Sequence, residues 1–164
     1  MKTSTLLIAR LGALLALGIG LAGCGPKPEG AAVADETLVT AITITGDDRM
    51  RFSPTRFVVE RGTEFRLTLH NAGSMPKESM GHNLVVLRPG TDPNGFAASS
   101  MRHPATSYVA PELTARVVAV TPVLGPGEKH ELVFTVPDEP GEYAFVCSFP
   151  GHTPAGMRGV MVVR

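Results

Sequence analysis

Residues 143–157 read Tyr143-Ala-Phe-Val-Cys147-Ser-Phe-Pro-Gly-His152-Thr-Pro-Ala-Gly-Met157, a strand-like run followed by a short loop. Strand parity puts Tyr143, Phe145 and Cys147 on one face, because alternate residues of a strand point the same way. The Pro- and Gly-rich loop then presents His152 and Met157 before the chain re-enters a strand. One loop therefore delivers a thiolate, an imidazole and a thioether to a single region.

A second histidine lies upstream, at the start of another predicted strand. His82 shares a face with Leu84 and Val86, so its imidazole points inward among apolar side chains, which is costly without a partner. Two histidines, one cysteine and one methionine form the ligand set of blue-copper electron-transfer sites, with the thioether as weak axial ligand. Zinc is the alternative metal, but the ligands that complete a zinc site are Cys, His or carboxylate rather than Met.

The chain around this loop predicts short strands. Its 164 residues include 18 Gly and 14 Pro, which makes long helices improbable. Period-two patterning between turn residues favours an all-β antiparallel sandwich or barrel. Eight strands are predicted, over 38–45, 56–60, 64–70, 82–88, 116–120, 130–136, 142–147 and 159–163. We call residues 89–114, between the fourth and fifth strands, the flap; a structural role is favoured over a docking role, with a short helix over 97–101.

Composition excludes several classes of protein. Lys plus Arg equals Asp plus Glu, 15 against 15, so no basic stripe points to a nucleic-acid partner. Hydrophobic residues at 43% and charged residues at 18% support a packed core rather than wholesale disorder. The length fits one domain.

The amino-terminal residues are predicted to direct export. Lys2 and Arg10 precede or flank an apolar run over 11–23, which is shorter than the roughly 20 residues of a membrane-spanning helix. Residues 21–24, Leu-Ala-Gly-Cys, resemble the bacterial lipobox, whose cysteine is lipidated; the alternative is an ordinary signal peptide with Cys24 a bystander. We expect a lipoprotein signal over 1–23, a lipidated Cys24 with a flexible tether over 24–37, and a domain over 38–164. The domain would face the periplasm or the cell exterior, anchored to the membrane.

Several motifs resemble those of azurins. Asn71-Ala-Gly-Ser-Met-Pro-Lys77, Met80-Gly-His-Asn83 and Cys147-Ser-Phe-Pro-Gly-His152 are similar to azurin copper-site motifs, and residues 48–52 and 124–129 resemble azurin segments. The spacing from His152 to Met157 is one residue longer than in azurins and is similar to that of auracyanins. By this resemblance the chain is identified as an azurin-like and auracyanin-like cupredoxin, with a Greek-key β-sandwich.

The resemblance implies ligands for one type 1 copper ion. The strong ligands would be His82, Cys147 and His152, and the weak ones would be the Met157 thioether and the Gly81 carbonyl. Backbone N–H groups of Asn83 and Phe149 would donate to the Cys147 sulfur and tune the reduction potential.

The expected function is one-electron transfer between Cu(II) and Cu(I), with no enzymatic activity of its own. Cytochromes or other redox proteins would be the partners. They would meet an exposed edge of His152 ringed by Met50, Met80, Pro150 and Pro154, which we call the docking patch. Copper storage or delivery is the alternative, although that role favours exposed Met and His clusters over a buried cysteine.

Overall fold

Two sheets packed face to face form the part of the chain that the computed structural model describes, residues 37–164. The predicted signal peptide, Cys24 and all but the last residue of the predicted tether lie outside the described residues. Within the described range, the strands are β1 Ala41–Asp47, β2 Arg51–Ser53, β3 Arg56–Val59, β4 Glu64–Asn71, β5 Val85–Leu87, β6 Val117–Val120, β7 Lys129–Thr135, β8 Gly141–Val146 and β9 Arg158–Val163. The predicted β-sandwich is confirmed.

Strand order is β2-β1-β4-β7 in one sheet and β3-β9-β8-β5-β6 in the other. The β1–β4 and β3–β9 pairs run parallel and the other pairs are antiparallel, so a purely antiparallel arrangement was wrong for those two pairs. Alternating apolar residues show which face of a strand is buried, but they carry no information on the direction of its neighbour. Strand β2, absent from the eight predicted, has three residues, too few for a period-two pattern, and it is fixed by pairing with β1.

Large apolar side chains fill the space between the sheets. Phe65, Leu67 and Leu69 alternate along β4 and are fully buried. The ring of Phe57 stacks on Phe65 at 5.5 Å between centroids. Each such side chain contributes about 1.5–3 kcal/mol by burial. Cys147 belongs to the same cluster, so its sulfur sits at one end of a rigid apolar core.

The flap is ordered and packs on the five-stranded sheet. Helix α1 (Lys77–Met80) precedes it, and the flap itself contains helix α2 (Pro93–Ser100) and the 3-10 helix Pro104–Thr106. A second 3-10 helix, Pro111–Arg116, begins in the flap and ends just beyond it. Helix α2 begins earlier than the predicted 97–101 because Asp92 caps it, accepting from two backbone N–H groups, and Pro93 starts it. Phe96 and Val109 bury the flap against Val85 and Val146 of the sheet. Among residues 37–164, the helices are all too short or too polar to cross a membrane.

Candidate metal centre

Three side chains converge at one end of the sandwich. His82 lies shortly before β5, Cys147 directly follows β8, and His152 lies in the β8–β9 loop. Their ligand atoms all lie within 4.8 Å of one another. The two Nδ1 atoms are 3.2 Å apart, and the Cys147 sulfur is 3.3 Å from Nδ1 of His152. All three side chains are buried, with His152 only 2% exposed.

A backbone carbonyl orients the His82 imidazole. Nε2 of His82 lies 3.0 Å from the carbonyl oxygen of Asp47. A carbonyl only accepts hydrogen bonds, so Nε2 carries the proton and the lone pair of Nδ1 faces the other two ligand atoms. Burial lowers the pKa of His82, and the Asp47 carbonyl opposes that shift. The ring is therefore held neutral and ready to bind a cation.

The other two ligand groups are also uncharged in the metal-free protein. Burial, assisted by His82, lowers the pKa of His152 to about 4. Burial raises the pKa of the Cys147 thiol to about 12, against hydrogen bonds from the backbone N–H groups of Asn83 and Phe149. Those two donors are the ones that the azurin resemblance implies. A metal ion at this position would displace the thiol proton.

The β8–β9 loop is closed by its own hydrogen bonds. The N–H of Cys147 donates to the carbonyl of Met157, and the N–H of Met157 donates to the carbonyl of His152, each at 3.0 Å. The Thr153 hydroxyl donates to the Cys147 carbonyl at 2.7 Å. Gly151 turns the chain with a φ of 87°, which suits glycine. The loop thus holds its ligand groups without help from a metal.

A side-chain amide connects this loop to the segment that carries His82. Asn83 donates from Nδ2 to the Ser148 hydroxyl at 2.8 Å and accepts from the Ser148 N–H at 2.9 Å. Both residues are fully buried. The two segments that supply the ligand groups are therefore fixed to each other.

Two glycines make room for the site. A Cβ on Gly46 would lie 2.9 Å from Cε of Met157 and 3.0 Å from Cδ2 of His82, so both side chains occupy the space that a larger residue would fill. A Cβ on Gly81 would lie 2.6 Å from the carbonyl oxygen of Lys77, which only glycine avoids. Met157 is fully buried, and the Gly81 backbone is close enough to the His82 imidazole to raise its pKa slightly against the effect of burial. Sequence reasoning missed Gly46 and the Asp47 carbonyl.

The four residues predicted to form the docking patch differ in exposure, and the imidazole that they were expected to ring is covered. Pro150 and Pro154 are exposed, and Met50 and Met80 are half-buried. The expectation of an exposed His152 edge was wrong: the Phe149 ring packs on the imidazole at 4.8 Å between centroids, and the side chain is buried.

The flap extends the surface beside His152. A cavity of about 270 Å³ lies between the β8–β9 loop and α2, and both Met101 and Pro154 line it. Met101 is 45% exposed. The flap thus adds an apolar side chain that the sequence prediction of the docking patch did not include.

The ligand atoms fit a single soft or borderline metal ion. The two Nδ1 atoms, and the sulfur with Nδ1 of His152, are close enough for one ion with bonds of about 2.0–2.3 Å to join each pair. The buried Met157 thioether beside them is a ligand that copper accepts and that zinc sites rarely use. Two imidazoles, one thiolate and one thioether at the end of a β-sandwich define the blue copper class, the cupredoxins, with one type 1 copper.

Comparison with known proteins agrees with this class. Residues 39–164 match the model of the copper binding proteins of the plastocyanin/azurin family, and the chain belongs to that family. The azurin of Pseudomonas denitrificans is 35% identical over 127 residues, covering 76% of this chain and 98% of that protein. The crystal structure of a reduced auracyanin from Roseiflexus castenholzii superposes with a TM-score of 0.70 at 28% identity, covering 78% of this chain and 99% of that one.

A further relative is longer than the matched region. Outer membrane protein H.8 of Neisseria meningitidis serogroup B is 40% identical over 114 residues, which is 68% of this chain. The alignment spans 61% of the length of that relative. The identification as an azurin-like and auracyanin-like cupredoxin, and the expected copper cofactor, are confirmed.

Proposed function

We propose that the protein is a one-electron carrier whose copper ion is held by His82, Cys147 and His152. The proposal rests on one observation, the convergence of three buried ligand atoms within 4.8 Å. Copper at such a site cycles between Cu(II) and Cu(I). The chain contributes a dry and rigid environment in which the ligand positions change little between the two states.

Weak axial contacts complete the proposed ligand set. Met157 is buried beside the His82 ring, so its thioether would be the axial ligand on one side. The Gly81 carbonyl, which precedes His82 in the chain, would be the second weak ligand. A thioether is a soft donor and stabilises the reduced state, which favours a high reduction potential.

The hydrogen bonds to sulfur act in the same direction. The N–H groups of Asn83 and Phe149 donate to Cys147. A thiolate carries more negative charge when the metal is reduced, so donors aimed at it stabilise the reduced protein more than the oxidised one. The two N–H groups therefore raise the reduction potential.

Electrons would enter and leave at the docking patch. Its prolines lie on either side of His152 in the loop, and its methionines give an apolar surface that suits brief contact with cytochromes or other redox proteins. Because the metal position is enclosed by protein ligands, we propose a carrier and not an enzyme.

We further propose that the protein is exported and anchored to a membrane through a lipidated Cys24, facing the periplasm or the cell exterior. The lipobox-like residues at 21–24 support the anchor. The similarity to a protein named outer membrane protein H.8 supports export.

The proposal is tested with the purified protein loaded with one equivalent of Cu(II). We expect an intense absorption band in the red from charge transfer between the Cys147 thiolate and copper. Cys147→Ser removes the band, and Pro154→Ala, in the same loop, retains it. Rapid electron self-exchange, seen as broadening of NMR lines in mixtures of the two redox states, supports a carrier. Slow self-exchange with rapid loss of Cu(I) to a chelator would instead indicate copper delivery.

A further inference from the structure

Two consecutive residues of the flap adopt a backbone conformation that side chains other than glycine rarely take. Ser107 has a φ of 54° and Tyr108 a φ of 55°, both in the left-handed region. Such a conformation persists only where the surroundings fix it, and it often occurs beside functional sites. The contacts of Ser107 and Tyr108 should therefore explain why both residues adopt this conformation.

Hydrogen bonds on the flap side hold the pair in place. The N–H of Tyr108 donates to the carbonyl of His103 at 2.9 Å, which ends the first 3-10 helix. The Thr106 hydroxyl donates to the carbonyl of Val109 at 2.6 Å. The N–H of Ala110 donates to the buried Ser100 hydroxyl at 3.1 Å, which connects this turn to helix α2. The turn is thus a rigid part of the flap.

Ser107 contacts one of the two residues that donate to the Cys147 sulfur. Its carbonyl accepts a hydrogen bond of 2.6 Å from Nδ2 of Asn83. The same amide group donates to Ser148 and accepts from it, so its nitrogen and oxygen are all engaged and its orientation is fixed. The flap, through the Ser107 carbonyl, therefore supplies the hydrogen bond that completes the contacts of the Asn83 amide group.

Tyr108 contacts the other donor. Its ring meets the Phe149 ring edge-on, with centroids 5.2 Å apart and an interplanar angle of 67°. Phe149 in turn packs on the His152 imidazole. Edge-to-face contacts of this kind stabilise beyond simple burial. The ring of Tyr108 therefore limits the movement of Phe149 away from the site.

We propose that the turn at Ser107 and Tyr108 positions the two backbone donors of the Cys147 thiolate, so that the flap tunes the reduction potential from outside the ligand loop. Ser107 fixes the residue on the β5 side, and Tyr108 fixes the residue on the loop side. The left-handed conformation directs the Ser107 carbonyl and the Tyr108 ring toward two different segments from adjacent positions. The inference rests on the proposed electron-transfer function.

The test compares Tyr108→Leu with Tyr108→Phe. Tyr108→Leu removes the aromatic contact, so the N–H of Phe149 is held less well, the reduction potential falls and the red absorption band shifts. Tyr108→Phe retains the ring and keeps the reduction potential and the red absorption band close to the parent values. Leu113→Ala, which weakens flap packing in its second 3-10 helix away from this turn, controls for general loosening and leaves both readouts unchanged.

A second readout needs no metal. In the metal-free Tyr108→Leu protein, we expect the backbone amide of Phe149 to exchange with deuterium at least tenfold faster, with amides of β9 unaffected. An unchanged potential and unchanged exchange in Tyr108→Leu would overturn the inference, as would an equal shift in Leu113→Ala. A parent protein that binds copper without a blue colour would instead contradict the proposed function, and the exchange measurement would still decide the positioning role.

Discussion

The backbone N–H of Cys147 donates to the carbonyl of Met157 across 3.0 Å, so the loop between β8 and β9 is closed at its two ends. Because this bond joins the residue that supplies the sulfur to the residue that supplies the thioether, it fixes their separation whatever the loop does between them. The extra residue that the azurin resemblance implies would therefore be accommodated inside the closed loop, with the backbone of Cys147 still bonded to that of Met157.

Axial tuning is expected from Met157. Met157→Leu removes a soft donor and keeps a similar volume, so the remaining ligands favour Cu(I) more strongly and the reduction potential rises, while the blue colour stays. Voltammetry of both proteins measures the shift. Met161→Leu, a fully buried methionine in β9, is the matched control and keeps the parent potential. A lower or equal potential in Met157→Leu would show that Met157 is not axial.

Gly46 is expected to set the position of the thioether. In Gly46→Ala the new methyl group lies 2.9 Å from Cε of Met157, so the side chain must move. We expect an altered intensity ratio of the visible absorption bands and a loss of about 1–3 kcal/mol of stability by overpacking. In Gly46→Ala/Met157→Leu, compared with Met157→Leu alone, the added methyl group should change the spectrum little, since no thioether donor is left to displace. A spectral effect of full size in the double variant would assign it to His82.

The metal-free protein should lose stability in mild acid. The folded pKa of His152 is about 4 and its unfolded value is 6.5, so the unfolded chain binds a proton first as the pH falls. The contribution of His152 to the free energy of unfolding is therefore constant above about pH 6.5. As the pH falls from 6.5 to 4, the free energy of unfolding decreases by roughly 3 kcal/mol in total. Urea unfolding at pH 7 and pH 4.5 measures it. In His152→Gln the free energy of unfolding should depend less steeply on pH. An equally steep dependence would show that another group titrates, and His82 would be the next candidate.

Electron self-exchange should depend on the docking patch. Met80→Glu places a charge where two apolar surfaces must meet, so the exchange rate falls while the absorption spectrum is retained. Val133→Glu, at a 44% exposed apolar position in β7, is the control and exchanges at the parent rate. A self-exchange rate in Met80→Glu equal to that of the parent would indicate that the contact lies on another surface. The Met101 side of the flap would then be tested next.

Lipidation is expected at Cys24. Mass spectrometry of the full protein from a bacterial membrane fraction should find acyl chains on this residue, and more than one chain gives a firm anchor. Cys24→Ala should accumulate as an unlipidated precursor. A mature parent protein without lipid, recovered in the soluble fraction, would exclude the anchor.

The sequence was sufficient for the residues that act through their side chains. Cys147 and His82 were located because strand parity placed polar, metal-binding groups on an apolar face, and the sandwich places both in its core. The Asp47 carbonyl and Gly46 were missed because one acts through its backbone and the other through the lack of a side chain. A backbone carbonyl is common to every residue type, and a glycine in a strand does not reveal which side chains it makes room for.

The flap shows a second limit of prediction from sequence. Its helix was predicted over 97–101, whereas it begins at Pro93 with Asp92 as its cap, a start signal that the sequence analysis did not use. Nothing in the residue types at Ser107 and Tyr108 indicates a left-handed backbone, since neither is Gly or Asn. The conformation is accompanied by hydrogen bonds within the flap and by contacts with Asn83 and Phe149, a combination that residue type alone does not reveal.

The two imidazoles of the site lie 70 residues apart along the chain. Once both bind one ion, that ion closes a large loop that includes the whole flap, much as a covalent cross-link would. Among residues 37–164 the cysteine is a free thiol, so no disulfide performs this task there. A chain cut at one peptide bond within the flap would then be held together by the ion as well as by the hydrogen bonds between β5 and β8. Because an ion that binds only the folded chain stabilises it, copper loading should raise the urea concentration at which the protein unfolds.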